Sequence, residues 1–384
     1  MQVKQIYDIV NDITKTILGE QAVLQEDLGN IVDIGTEIFN ANAVDNYVRS
    51  LMDHIGRMVF VNRPYSGSAP SVLMDSWEFG SIKEKISAEL PDATENESWE
   101  LEGGTSYDPN IFYKPVVSAK FFNHKTTFEV PMSFTEKQVK ESFSSAGQLN
   151  AFMSMLYNEV DKSMTIKVDG LVMRTINNMI AETAYADYQG ANFNSKSGVR
   201  AVNLLYQYNQ RFNKSLTADA AITDPDFIRF AAMQMNLYKD RMAIASTLFN
   251  VGGKKRFTPA DLLHVVMLSE FSNAADIYLQ SSTFHDEYTK LVNAERVPYW
   301  QGSGTDYSFS STSKINVVDS DNHSVELGGI LGIMFDRDAL GVTNIDKRVT
   351  SNYNPKAEFY TNWYKFDAGY FNDLNENFVV FFVA

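Results

Sequence analysis

Residues 145–179 read SAGQLNAFMSMLYNEVDKSMTIKVDGLVMRTINNM, and the rest of the chain is organised around this stretch. Leu149, Phe152, Met153, Leu156, Val160, Met164, Val168, Leu171, Val172 and Met179 keep one apolar stripe at helical spacing. Ser145 and Gln148 stand ahead of it at the S-x-x-Q spacing of a capping box. About 36 residues at about 1.5 Å each make a helix of about 54 Å. Its heptads are too irregular for a coiled coil, and it is too polar to span a membrane. Gly170 falls inside the pattern and costs about 1 kcal/mol relative to Ala, so a bend or crossing point is expected there. The stretch predicts one nearly continuous helix from 145 to about 181, crossing the subunit as a spine.

Upstream, Val3, Ile6, Val10, Ile13 and Ile17 predict a short amphipathic helix stopped by Gly19. A second helix is expected from about Ala43, with Val44, Tyr47, Val48, Leu51, Ile55 and Met58 on one face and a stop at Asn62-Arg63-Pro64. After the loop GSAP (67–70), residues 77–90 (WEFGSIKEKISAEL) and 115–134 (PVVSAKFFNHKTTFEVPMSF) alternate as long strands around a polar stretch at 91–110. If the two strands pair, about 14 residues at about 3.3 Å each carry the tip on the order of 45 Å from the body. A lone ribbon of that length is unstable and would lie on a neighbouring subunit. The alternative is two strands of a compact sheet joined by a long loop. Lys83 and Lys85 alternate with Ile82 and Ile86, which leaves an apolar face in need of a partner.

Downstream, residues 185–221 are loop-rich, and Asp224-Pro225 opens a helix through Phe230, Met233, Met235, Leu237 and Met242. After the basic trio Lys254, Lys255 and Arg256, TPADLLHVVML (258–268) reads as a turn into a buried strand, with a helix as the alternative. Short helices are expected at SNAADIYLQ (272–280) and FHDEYTKL (284–291). INVVDS, SVELGGILGIMFD, AEFYTNWYKFDAGYF and FVVFFVA make the last hundred residues β-rich, and the final strand is expected to be tied into a sheet.

The 384 residues carry 33 Lys plus Arg against 48 Asp plus Glu, a net charge of −15, which excludes a nucleic-acid coat built on a basic surface. With no cysteine, disulfides, thiolate metal sites and cysteine nucleophiles are excluded. The first residues lack an apolar run, and no stretch approaches the roughly 18 apolar residues of a membrane span, so the expected setting is cytosolic or within an assembled particle. Aromatic residues make up 13%, including 26 Phe and 19 Tyr, which fits either a Phe-rich core or sticky interfaces.

Active-site signals are weak. His54, His124, His264, His285 and His323 show no metal-binding spacing. Gly302-Ser303-Gly304 lacks the strand-to-helix context of a phosphate loop, and no G-x-S-x-G elbow occurs. Asp169-Gly170 reads as a pair inside the spine helix rather than as a catalytic acid. Asp336 and Asp338 flank Arg337 in what reads as a strand exit with its charges satisfied locally rather than a cation site. The sequons at Asn96, Asn213 and Asn322 read as chance matches. No catalytic, cofactor-binding or metal residue is expected, and no cofactor.

This order of elements resembles the major capsid proteins of tailed double-stranded DNA phages, the Hong Kong 97-type capsid fold. The most similar stretch is GILGIMFDRDALGVTNIDKRVTSNYNPKAEFYTNWYKFDAGYFNDLNENFVVFF (residues 329–382), where a strand ending in the D-R-D-A turn precedes a β-hairpin placed at YTNWYKFDAGYFNDLNENFVVF. The resemblance implies an α+β chain with an N-terminal helical arm (1–66), an E-loop β-hairpin region (67–140), a spine helix of the peripheral domain (141–186), an axial domain (187–340) and a C-terminal β-ribbon (341–384). It implies a structural role, not an enzymatic one. Hexamers and pentamers would close into an icosahedral head in the host cytoplasm, with a scaffolding protein, a portal, and double-stranded DNA held by weak non-specific contact. Trp77, Ile82, Ile86, Val117, Phe121 and Phe128 are the expected inter-subunit contacts of the E-loop. Some relatives join an E-loop lysine to an asparagine of a neighbour, for which Lys83, Lys85, Lys114, Asn352 and Asn354 are of the eligible types. An encapsulin-type cargo shell and a non-catalytic tail or baseplate component are the alternatives.

Overall fold

The computed structural model describes residues 3–19, 24–25, 28–40, 43–44, 46–51, 72–73, 83–88, 93, 95, 103, 110–190, 192–280, 294–300, 308–318 and 322–384. The chain divides into two compact units, the first formed by Met1–Gly80, Lys125–Val172 and Val342–Gly369, the second by Ser81–His124, Met173–Gly341 and Tyr370–Ala384. Several sequence expectations lie outside the described residues. They include the second helix beyond Leu51 with His54, Asn62-Arg63-Pro64, the loop at 67–70, Trp77, Ile82, Asn96, the helix at 284–291 with His285, and Gly302-Ser303-Gly304.

In the first unit, α1 (Val3–Leu18) ends at Gly19 in a left-handed conformation, φ 95°. Ile6, Val10 and Ile13 are fully buried, so the N-terminal helix packs into the unit's own core. A helix the periodicity did not single out, α2 (Ile31–Asn40), follows and buries Ile31, Ile34 and Ile38 at i, i+3 and i+7. Residues 46–51 are helical, as expected, and bury Tyr47, Val48 and Leu51 in the same cluster.

Two further segments correct the sequence reading. Residues 115–134 are not one strand: Asn123-His124 interrupt the alternation, separating β2 (Val117–Phe122) from β3 (Lys125–Thr135). Only β2 pairs with β1 (Lys83–Ala88), antiparallel, whereas β3 pairs with β11 (Phe359–Asn372). The C-terminal hairpin is likewise β10 (Leu340–Asn354) with β11, closing a three-stranded sheet β10-β11-β3. The hairpin partner of β11 is therefore not the terminal FVVFF. Opposite pairs Phe128/Phe366, Val130/Tyr364 and Phe134/Tyr360 face the core, while Thr127, Asp367 and Arg348 link all three strands on the other face. Thr127 Oγ1 donates to Asp367 at 2.6 Å and Arg348 donates to it at 2.8 Å. These hydrogen bonds hold the Asp367 carboxyl below its ordinary range.

A short helix α3 (Glu136–Ser142) leaves β3 through a full capping box. Thr135 Oγ1 accepts from Gln138 N at 3.2 Å and Gln138 Oε1 accepts from Thr135 N at 2.9 Å. α4 (Ala146–Tyr188) then runs for 43 residues without interruption. At its start Ser145 caps Gln148 N at 3.2 Å, but the Gln148 carboxamide is engaged by Ser144, so only half of the expected box forms. Leu149, Met153, Leu156, Val160 and Met164 join the first unit's core, and Ile176, Met179 and Ile180 are buried in the second. Gly170 is exposed, and a Cβ there would meet nothing within 4 Å. Gly170→Ala is therefore expected to stabilise the isolated chain by about 0.5–1 kcal/mol, read as a raised thermal midpoint. A fall would mean that the glycine serves a bend.

The second unit is built on a five-stranded sheet ordered β4-β12-β9-β5-β6, from Ala201–Asn203 (β4), Leu263–Leu268 (β5), Glu295–Val297 (β6), Ile330–Asp336 (β9) and Phe378–Phe382 (β12). β9 and β12, entirely buried, are its adjacent inner strands. The terminal strand is thus tied into a sheet, but into this one, and the 341–384 ribbon is split between the two units. TPADLLHVVML resolves as a turn into β5. Around the sheet lie α5 (Leu204–Phe212), α6 (Ala218–Ala221), α7 (Pro225–Met242), α8 (Ser269–Gln280) and α9 (Phe309–Thr312), with β7 (Ile315–Val318) and β8 (Ser324–Leu327) as a separate hairpin. Asp224 caps α7, accepting from Phe227 N at 2.8 Å. Asp336 accepts from Asp338 N at 2.9 Å within its own turn and from Thr258 Oγ1, distant in sequence, at 2.8 Å.

Candidate assembly surface

The β1–β2 ribbon has two faces of opposite character. Because directly opposite residues point to one side, Glu84/Phe121, Ile86/Ala119 and Ala88/Val117 share a face, and Lys83/Phe122, Lys85/Lys120 and Ser87/Ser118 share the other. The first face is bare: Ile86 is 67% exposed, Val117 57% and Phe121 62%. Just before β2, Ile111, Phe112, Tyr113 and Val116 are also exposed, Phe112 at 84%. A run of large apolar side chains left in water makes this face a candidate interaction surface.

The lysine face is turned onto other elements of the second unit, to which the ribbon belongs. Lys120, Asp373, Lys85, Glu376 and Arg256 form an alternating ionic chain, with contacts of 2.9 Å, 3.0 Å, 2.7 Å and 3.2 Å in that order. Asp373 is almost fully buried, and its Oδ1 also accepts from Asn375 N at 3.1 Å. Phe122 packs on Phe371 with ring centres 5.2 Å apart, and Lys83 Nζ sits 3.7 Å over the same Phe371 ring. Burial alone would raise the Asp373 carboxyl, but the Lys120 hydrogen bond and the charges of Lys85 and Lys120 hold it below its ordinary value. For Lys85, burial would lower the ammonium, yet Glu376 and Asp373 outweigh it and raise it. Burial lowers Lys83.

Of the expected contact residues, Ile86, Val117 and Phe121 are brought together on the bare face. Phe128 is not. It belongs to β3, is half-buried, and packs on Phe366 at 5.0 Å in the subunit's own core sheet, because the break at Asn123-His124 ends the ribbon before it. Phe112 and Tyr113 were missed, although the adjacent apolar residues of I-F-Y (111–113), in a stretch without alternation, were their signal. Asp373 and Glu376 were missed as well, since only the long-range pairing brings them to Lys85. Among the residues eligible for cross-linking, Lys85 is held as a paired ammonium, and Asn354 Oδ1 accepts from Lys356 N at 3.0 Å in the β10–β11 turn.

Among the described residues no cluster of three His, Asp or Glu side chains suits a metal ion, and no helix is long and apolar enough to cross a membrane. His264 stacks on Phe335 at 5.7 Å, where burial lowers its pKa, and His323 stacks on Tyr185 at 4.0 Å.

The sequence matches the profile of the Phi29-like phage major capsid proteins over residues 10–382, and the chain belongs to that family. It is thus a major capsid protein of a tailed phage, a component of the virion capsid that associates with copies of itself into a shell. Its mixture of helices and sheets makes it an α+β chain. A search of curated proteins returned no match. Among solved structures, a chain of the capsid of Staphylococcus phage Andhra is similar at 10% identity and TM-score 0.48, over 84% of this chain and 85% of that one. A chain of the capsid of cyanophage P-SCSP1u is similar at 10% identity and TM-score 0.43, over 82% and 86%. A chain of the mature capsid of bacteriophage PhiM1 follows at 9% and 0.41, over 84% and 87%.

Proposed function

We propose that copies of this chain associate into hexamers and pentamers that close an icosahedral head around double-stranded DNA, with the bare face of the β1–β2 ribbon laid against a neighbouring copy. The observation that carries the reading is that face, where Ile86, Val117 and Phe121 are each more than half exposed on a ribbon whose other face is pinned by charge. Burying large aromatic and aliphatic side chains is the main source of association free energy, at roughly 25 cal/mol per Å² of apolar surface. The net charge of −15 supports an enclosing shell rather than a DNA-coating protein, because like charge keeps packaged genome from adhering to the wall. In this reading a scaffolding protein and a portal direct closure, and Ile86, Val117 and Phe121 act as contact residues, not catalytic ones.

Native mass measurement of the purified chain at rising concentration tests the stoichiometry. Species of five and six copies are expected to appear before any larger particle. A stable dimer or trimer as the only intermediate would contradict it.

A further inference from the structure

The chain is acidic, yet one groove of the second unit is not. It lies between α5 and the first half of α7, encloses about 340 Å³, and is floored by the rings of Tyr208 and Phe230, 5.5 Å apart. Phe212 forms one wall, half exposed, 5.0 Å from Tyr208 and 5.9 Å from Phe230. Asn213 follows in a left-handed conformation, φ 51°, so α5 stops just after Phe212. Met233, also about half exposed, forms the opposite wall.

The rim is charged. Among the described residues, Arg211, Lys214 and Arg229 line it with one carboxylate, Asp226, so that 3 − 1 leaves +2 on a chain of −15. Lys214 Nζ donates to the Tyr208 hydroxyl at 2.9 Å, and Asp226 pairs with Arg229 at 3.2 Å and with Lys214 at 3.8 Å. An apolar slot ringed by cations fits a bulky apolar side chain carried within an acidic segment. A bare phosphate would leave the aromatic floor unused.

The chain itself contains such a segment. Residues 92–102, DATENESWELE, hold the five carboxylates Asp92, Glu95, Glu97, Glu100 and Glu102, no lysine or arginine, and Trp99 and Leu101. They fall in sequence between β1 and β2, the two strands that present the bare assembly face. We propose that residues 92–102 of one copy dock in the α5–α7 groove of a second copy, with Trp99 entering the slot and the flanking glutamates facing Arg211, Lys214 and Arg229. The proposal rests on the reading that copies assemble, and it names a receptor for the acidic segment. Opposite charges at the rim set specificity and encounter rate, and the buried aromatic supplies the affinity.

The test uses a labelled synthetic peptide of residues 91–108 and the full-length chain immobilised sparsely, so that copies do not meet. Saturable binding that weakens with salt is expected. The double variant R211E/R229E, which alters only exposed side chains, should weaken it at least tenfold with an unchanged circular dichroism spectrum. A peptide carrying Glu97→Lys and Glu100→Lys should bind the reversed groove again, and a Trp99→Ala peptide should bind neither. Equal binding to wild-type and reversed grooves would overturn the proposal, as would an oligothymidylate competing for the groove better than the peptide. If the peptide binds only to a chain whose own glutamates in 92–102 are reversed, the occupant is the same copy's segment and the second-copy proposal fails. Particle formation by the wild-type chain is scored separately. Particles without peptide binding sink the groove and leave assembly standing, and binding without particles does the reverse.

Discussion

Phe121→Asp is expected to abolish shell closure while leaving the chain folded. Phe121 lies on the bare face of the β1–β2 ribbon opposite Glu84, 62% exposed, so an aspartate there meets water in the isolated chain and costs its fold little. Against a neighbouring copy the same carboxylate has to be desolvated without a partner, a penalty of several kcal/mol repeated at every contact of a closed particle. The measurement is light scattering beside circular dichroism of one sample. Phe128→Asp is the contrast that gives this result its meaning. Phe128 faces Phe366 inside the β3–β11 pair, so the aspartate should destabilise the subunit itself by about 2–4 kcal/mol, in the range of large-to-small core changes. If Phe121→Asp unfolds the chain, or still closes shells, the bare face is not the contact assigned to it.

Asp373→Asn has the second largest expected effect. The carboxylate is buried between Lys85 and Lys120, and its removal leaves two ammonium groups facing a neutral amide. Breaking a buried pair costs about 3–5 kcal/mol, and the lower end applies because the Lys120 side chain is 42% exposed. The loss should be local. Amide hydrogen exchange is expected to rise across residues 83–88 and 117–122 while β9 and β12 keep their protection. Uniform loss across the second unit would instead make the ionic chain part of its core.

The pH window of this clamp follows from the same charges. Because folding lowers the Asp373 pKa, its contribution is present above the unfolded carboxylate value of about 3.9 and is lost as pH falls through the lower folded value. Because folding raises the Lys85 pKa, its contribution is complete below the unfolded value of about 10.4 and is lost only as pH rises through the higher folded value. Protection of the ribbon, corrected for intrinsic exchange, should therefore be flat between about pH 5 and pH 9. A midpoint near neutrality would require a titrating group other than these two.

The spine helix was legible because the apolar residues from Leu149 to Met179 recur at helical spacing behind the Ser145 cap, and Gly170 costs too little to break them. α2 was not singled out although Ile31, Ile34 and Ile38 stand at helical spacing, since the segment is only ten residues long and carries Gly35, a poor helix former that lies close against Phe143. The ribbon was half legible. Alternation showed two faces, but which face meets water depends on Asp373 and Glu376, nearly 300 positions away, and no local pattern contains them. The excess of aromatic residues turned out to serve both readings. Trp300, Tyr364 and Phe378 are fully buried, while Phe112, Tyr113 and Phe121 stand in water.

The central claim is that the bare ribbon face is covered by a neighbouring copy in a closed shell. Electron cryo-microscopy of particles formed by the purified chain tests it most directly. Closed icosahedral particles with five- and six-fold clusters are predicted, and in each the side chains of Ile86, Val117 and Phe121 should lie against the adjacent copy. Closed particles in which that face points to solvent, or only open aggregates at every concentration, would contradict it.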